Sequence, residues 1–153
     1  MVPLTVLRSD DERLQYGALP YRLTTGGALE FLLVTSRRTR RWIIPKGWPI
    51  KGLGPAGSAA REAFEEAGVI GKIGREAVGS FQYRKHLKNG TGTVNCKVIV
   101  FPLRVDQELV TWPEVDQREL CWLDTVGAVN RISDDGLRSV IETAAVRVKR
   151  SRG

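Results

Sequence analysis

Nine residues, Arg61 Glu62 Ala63 Phe64 Glu65 Glu66 Ala67 Gly68 Val69, restrict what this chain can fold into more than any other stretch. As a helix, the run places Glu62, Glu65 and Glu66 at i, i+3 and i+4, so three carboxylates fan over one face while Ala59, Ala63, Phe64 and Ala67 can meet a core. Two local effects oppose this. Glu62 and Glu66 are a like-charge i,i+4 pair, and Glu65 and Glu66 fall in the last turn before a Gly68 cap, where the helix dipole favours cations. Each costs from a few tenths to about 1 kcal/mol. A divalent cation with a preference for oxygen ligands would reverse both signs. The competing reading is a solvated acidic face, since Glu is a good helix former.

What precedes the run favours the first reading. Trp42 Ile43 Ile44 Pro45 Lys46 Gly47 Trp48 Pro49 is a short apolar strand breaking into a Pro/Gly turn. A loop through Gly52, Gly54 and Pro55 then leads into the helix. The unit is strand, loop, helix, with acids at its far end.

In this combination the sequence resembles the Nudix hydrolase family. Its signature places a Gly, then a Glu, then Arg-Glu, an aliphatic residue, Glu-Glu, Gly and a further aliphatic residue at fixed intervals. Gly47 takes the first position, and Arg61, Glu62, Ala63, Glu65, Glu66, Gly68 and Val69 match the second half. The first Glu falls on Leu53, and no acid occurs between Glu30 and Glu62. The resemblance implies that this missing Glu would have paired with Arg61, which must turn instead to Glu65 or to a ligand phosphate. The opening Pro45 to Pro49, followed by Lys51, looks like a variant near the diphosphoinositol and dinucleoside polyphosphate hydrolases.

The resemblance implies an α/β fold, an α/β/α sandwich with a mixed sheet between helices, and the residues agree. Leu19 to Thr24 and Leu29 to Ser36 read as strands of a hairpin turning at Thr25 Gly26 Gly27. Val78 to Leu87 and Val94 to Val105 read as two more, joined through Lys88 Asn89 Gly90 Thr91 Gly92. The second is apolar enough to be central. Glu119 to Leu123 is a short strand, and Asp134 or Asp135 opens a helix to about Val148. The order is β, β, β, α, β, β, β, α.

A chain of 153 residues with 42% hydrophobic content can bury one real core, and no composition shift or repeat marks a second unit. Residues 1–153 are expected to form a single domain, with about 1–15 as an N-terminal extension and about 147–153 as a basic tail. No run approaches a membrane span, and no signal-peptide pattern opens the chain. Cys96 and Cys121 fall within strands at no metal-like spacing and read as reduced core thiols in a cytoplasmic protein. The net charge of +7 has two sources. Arg37, Arg38, Arg40 and Arg41 lie at a strand-to-strand tip, and Arg147, Lys149, Arg150 and Arg152 lie in the tail; together they account for the whole excess. The tail cluster reads as a solvated basic end, and the tip cluster either as a solvated loop or as a contact for a phosphorylated small molecule, so the clustering disfavours nucleic acid without excluding it.

The reaction the resemblance implies is hydrolysis of a phosphoanhydride in a nucleoside- or inositol-polyphosphate, with Mg²⁺ or Mn²⁺ as cofactor. It implies Glu62, Glu65 and Glu66 as metal ligands, joined by the backbone carbonyl of Lys46, with Glu62 or Glu66 as general base and Arg61 in the catalytic set. A further acid is expected from Glu114, Asp116 or Glu119. Lys46, Lys51, Arg41, Arg84, Lys85 and Lys88 are the candidate phosphate-holding cations, and Trp48 and Trp112 are candidates for stacking on a base or for core anchoring. His86, the only histidine, supports neither a His-rich metal site nor a Ser-His-Asp triad. The alternative function is a catalytically weak domain that binds a phosphorylated ligand or RNA. Monomer and homodimer both remain open.

Overall fold

The computed structural model describes residues 12–87, 90 and 92–152. Eight strands form one mixed sheet: β1 (Glu12–Leu23), β2 (Leu29–Thr35), β3 (Trp42–Ile43), β4 (Lys46–Gly47), β5 (Val69–Ile73), β6 (Gly79–His86), β7 (Thr93–Glu108) and β8 (Leu120–Asp124). Helix α1 (Gly54–Ala67) follows β4, whereas α2 (Thr125–Arg131) and α3 (Asp135–Arg152) follow β8. The path through the sheet is β3-β2-β1-β7-β5, with β4 on β1, β6 on β7 and β8 on β2.

Strand alternation explains why helices cover both faces. Phe31 and Leu33 point to one side with Leu19, Val98 and Val100, and there they meet Leu137, Val140, Ile141 and Ala144 of α3. Leu32 and Val34 point to the other side with Phe101 and Leu103, and meet Ala56, Ala59, Ala63 and Ala67 of α1. These four alanines recur at helical spacing and are at most 5% exposed, so α1 packs with little side-chain bulk between its backbone and the sheet. β7 is central: it runs parallel to β1 from Asn95 to Arg104 and pairs antiparallel with β6 through its first half and β5 through its second.

The expected α/β/α sandwich is therefore present, with corrected boundaries. Residues 12–15 belong to β1 rather than to an extension, because Glu12 to Gln15 pair with Asn95 to Val98. Residues 147–152 continue α3 rather than fraying as a tail. Arg147 reaches back to the backbone oxygens of Glu76 and Ala77, at 3.0 and 2.8 Å. The strand read from Trp42 divides into β3 and β4, and two elements go beyond the expected order. β5 follows directly from the Gly68 cap, and the short α2 is capped by Asp124, whose Oδ1 accepts from the Gly127 amide at 2.8 Å. Cys96 is buried, Cys121 is half-buried, and both are free thiols. Among the described residues no helix is long and apolar enough to cross a membrane.

β5 is missed by hydrophobic pattern because Gly71 interrupts it, and the reason for Gly71 is steric. A Cβ there would overlap the backbone oxygen of Arg104 in β7, at the point where the β5–β7 register shifts. Gly71→Ala should therefore lower stability by about 1–3 kcal/mol in urea denaturation, whereas Gly26→Ala in the open hairpin turn should change it by less than about 0.5 kcal/mol.

Candidate functional site

The site begins at a bend that is fastened to the centre of the sheet. The Pro45 carbonyl accepts from the Ala18 amide at 3.0 Å, and β4 pairs with β1 at Tyr16–Gly47 and Gly17–Lys46. Close approach requires a glycine in β1. A Cβ on Gly17 would lie 2.9 Å from Val98 and 3.2 Å from the Pro45 oxygen. One residue later in β4, a Cβ on Gly47 would fall on the carboxyl group of Glu62. The box glycine is thus a steric allowance, which lets a carboxylate lie against the backbone of the bend.

The loop after the bend is held by polar contacts. The Ile50 amide donates to Ser58 Oγ at 2.9 Å, and the Leu53 amide donates to the Ile50 oxygen at 3.1 Å. Leu53 is the N-cap residue of α1, makes no side-chain cap and is 44% exposed. Arg61, without an acid at position 53, bonds Glu65 Oε2 at 2.8 Å and lies over the Phe64 ring. At its other end α1 closes on Gly68 in the left-handed region, φ 66°, with the cap amide donating to the Phe64 oxygen. The Trp112 ring packs where a Cβ on Gly68 would stand, at the end of α1, and does not line the cleft.

A cleft of about 700 Å³ opens beside the bend. Glu62, Glu66 and Glu114 stand in its wall with Lys46 and Arg118. Arg37, Arg38 and Arg41 of the tip line it from one side, and Tyr83, Arg84, Lys85 and His86 of β6 from another. Trp48 is exposed at its margin. Of the residues singled out in the sequence, Glu62, Glu66, Lys46, Arg41, Arg84, Lys85 and Trp48 are therefore brought together. Glu65, Arg61 and Lys51 do not line the cleft, and Lys88 lies outside the described residues. Of the three further acids considered, Glu114 faces the cleft. Glu119 pairs instead with Arg40 at 3.5 Å. Arg40, with φ 59°, turns from the cleft to the Gln117 oxygen.

Glu66 dominates the electrostatics. The residue is 6% exposed, and burial pushes its carboxyl up to about 8, against the opposing pull of Arg118 and Lys46. Its Oε2 lies 3.4 Å from Arg118, while Oε1 is buried with no hydrogen-bond partner among the described residues. Glu62 is raised as well, first by burial and then by the charge of Glu65, and its carboxyl is within hydrogen-bonding reach of Glu66. Lys46 is lowered to about 8 by burial, with Glu66 working the other way, and its ammonium lies 4.6 Å from the centre of the Tyr83 ring. The Tyr83 hydroxyl donates to Gln15 at 2.7 Å and fixes that ring. Among the described residues no three His, Cys, Asp or Glu side chains stand ready-assembled around a common point. Glu65 is bound to Arg61 and does not line the cleft with Glu62 and Glu66.

The donor set nonetheless fits a hard divalent cation. It offers carboxylates only, one of whose oxygens is buried and unpaired, a state that costs about 1–3 kcal/mol or more unless a partner is supplied. Arg118 and Gln15 are the residues that sequence reasoning missed. The signal for Arg118 was its i,i+4 spacing from Glu114 just before the last strand, whereas nothing marked Gln15.

The NUDIX domain family model matches residues 15–140. The chain belongs to the Nudix hydrolase family. It is 30% identical over 145 residues to the mitochondrial Nudix hydrolase 13 of Arabidopsis thaliana, covering 85% of this chain and 72% of that protein. To the bovine diphosphoinositol polyphosphate phosphohydrolase 3-beta it is 41% identical over 86 residues, 56% of this chain and 48% of that protein. The Nudix fold is seen again in the crystal structure of the C. elegans Ap4A hydrolase. The TM-score is 0.65 at 19% identity, with 90% of this chain and 99% of that one covered. In this Nudix domain the box residues Gly47, Glu62 and Glu66 share one wall of the cleft, and the departure at Leu53 leaves that wall standing.

If the space above Gly47 is reserved for the Glu62 carboxyl, Gly47→Ala should displace that carboxyl without unfolding the sheet. Hydrolytic activity should fall by about tenfold or more, equivalent to about 1.4 kcal/mol, while the thermal midpoint changes little. Steady-state kinetics beside a melting curve test this.

Proposed function

We propose that this Nudix domain hydrolyses a phosphoanhydride bond in a small polyphosphorylated substrate, a nucleoside- or inositol-polyphosphate, with Mg²⁺ or Mn²⁺ as cofactor. The observation that carries this reading is the division of charge within one cleft. Carboxylates, one of them with a buried unpaired oxygen, stand on the α1 wall, and Arg38, Arg41 and Lys85 stand around the opening with no carboxylate partner among the described residues. Cations crowded in this way repel one another unless a polyanion lies between them.

Glu62 and Glu66 are the residues that would hold the ion, with Glu114 beside them, the Lys46 carbonyl at the bend, and Glu65 joining only by leaving Arg61. Bound there, the ion would polarise a phosphoryl oxygen and lower the pKa of water. The protein's own groups do the rest. Arg41, Arg84, Lys85 and the Lys46 ammonium hold the non-reacting phosphates and neutralise charge at the leaving group. The general base is one member of the Glu62–Glu66 pair, acting on water instead of ligating the ion directly, with the other carboxyl beside it. Trp48 offers a flat apolar surface at the margin for a base, should the substrate carry one. Two free thiols agree with a reducing compartment such as the cytoplasm.

The second reading, a domain that binds a phosphorylated ligand or RNA with little turnover, draws on one observation, the capture of Glu65 by Arg61. A panel of dinucleoside polyphosphates, nucleoside diphosphate sugars, capped RNA and diphosphoinositol phosphates separates the two. With Mg²⁺, phosphate or nucleotide release is expected from at least one compound and is lost in EDTA. Glu66→Gln should reduce it at least about 100-fold with the fold intact. Tight binding without release across the panel would favour the second reading.

A further inference from the structure

In a helix that presents acids to a cation, the side chains need more than the right spacing, because a Glu has three rotatable bonds and a carboxylate free to wander presents no fixed site. The box Arg does not restrain the acids of the cleft. Arg61 is half-exposed and binds Glu65, which does not line the cleft. A different guanidinium occupies the position from which restraint could be exerted. Arg118 is 8% exposed at its side chain, and its three nitrogens serve three separate elements. Nη1 donates to the Thr35 carbonyl at the end of β2, 3.0 Å away. Nε donates to Glu114 Oε1 at 2.9 Å, and Nη2 lies 3.4 Å from Glu66 Oε2. The backbone around it is fixed too. The Glu119 amide donates to Thr35 Oγ1 at 2.9 Å, and the Glu114 amide donates to the Glu65 carbonyl at 3.0 Å.

We propose that Arg118 is a positioning residue that locks Glu66 and Glu114 in the orientation that receives a divalent cation, a restraint that Arg61 does not supply. This rests on the hydrolase reading above. The geometry of Glu66 gives the reason. Arg118 engages one oxygen and leaves the other, Oε1, buried and without a hydrogen-bond partner among the described residues, on a side chain that lines the cleft. A rigid planar fork anchored to the sheet can hold one oxygen while the second stays available. A lysine, being a point charge on a flexible stem, would follow the carboxylate instead of fixing it. In this role Arg118 acts through the two acids it contacts.

The test is the affinity for Mn²⁺ or Mg²⁺ without substrate, measured by calorimetry and by the metal-induced rise in melting temperature, on wild type, Arg118→Lys, Arg118→Ala and Arg61→Ala. Replacing a group that orients metal ligands typically weakens the metal by about 10–100-fold. Both Arg118 variants should show that loss, with Arg118→Lys keeping its folded baseline, and Arg61→Ala should not weaken binding because it frees Glu65. A purely structural Arg118 would lower the metal-free melting temperature in Arg118→Lys and leave the metal affinity unchanged, and that result overturns the proposal. So does an equal loss in Arg61→Ala. If Arg118→Ala does not fold, Arg118→Lys alone decides. Failure of wild type to bind either ion would overturn the hydrolase reading along with the proposal, whereas metal-dependent turnover with an unaffected Arg118→Lys would overturn the proposal alone.

Discussion

The burial of one carboxylate governs this molecule. Glu66 belongs to a helix whose alanine face lies directly on the sheet, so the acid cannot retreat into solvent. Everything near it responds. Burial in the same region lowers the pKa of Lys46, Glu62 stands beside Glu66 with its own carboxyl raised, and Arg118 gives Glu66 one charged contact. A buried acid with one partner for two oxygens is an expensive component for a domain of this size. Its presence is the strongest physical sign that the wall of the cleft is built to be completed by something cationic.

The scaffold makes that burial possible through a few close approaches. Gly17 lets the bend sit on β1, Gly47 lets Glu62 lie on the bend, and Gly68 admits the Trp112 ring at the end of α1. Each is a position where the absence of a Cβ converts neighbouring backbones into a shared wall. Glu62 and Glu66 are thus mounted on a helix packed against the central strands, with Lys46 and Arg118 beside them, while the other cations come from the tip after β2 and from β6.

Much of this was legible in the chain itself. The spacing of Glu62 and Glu66 and the position of Gly47 located the wall, because i,i+4 geometry and a glycine turn are local properties. The α/β/α sandwich was implied by the family resemblance and by the order of strands and helices, whose elements are read from local pattern. The pairing of Arg118 with Glu66 was not legible, since it joins residues 52 positions apart through a sheet whose register no local pattern reveals. β5 was hidden because Gly71, placed there for a backbone 33 residues away, breaks the hydrophobic run. The partner of Arg61 was left between two options in the sequence, and the fold gives it Glu65. Which arginines of the tip face the cleft was not legible either. Arg40 in the left-handed region turns its own side chain away while Arg37, Arg38 and Arg41 line the opening.

The origin of the two kinds of charge in different parts of the chain has a further consequence. The tip and β6 reach the cleft from segments that share no backbone with α1, and the tip is an exposed loop. Loops of this kind tolerate exchange and insertion far better than the packed elements beneath them. Under the proposed function, exchanges at Arg37, Arg38 and Arg41 would alter which polyanion is admitted and leave the α1 wall as it is. Selectivity and reactivity can drift apart on separate evolutionary clocks.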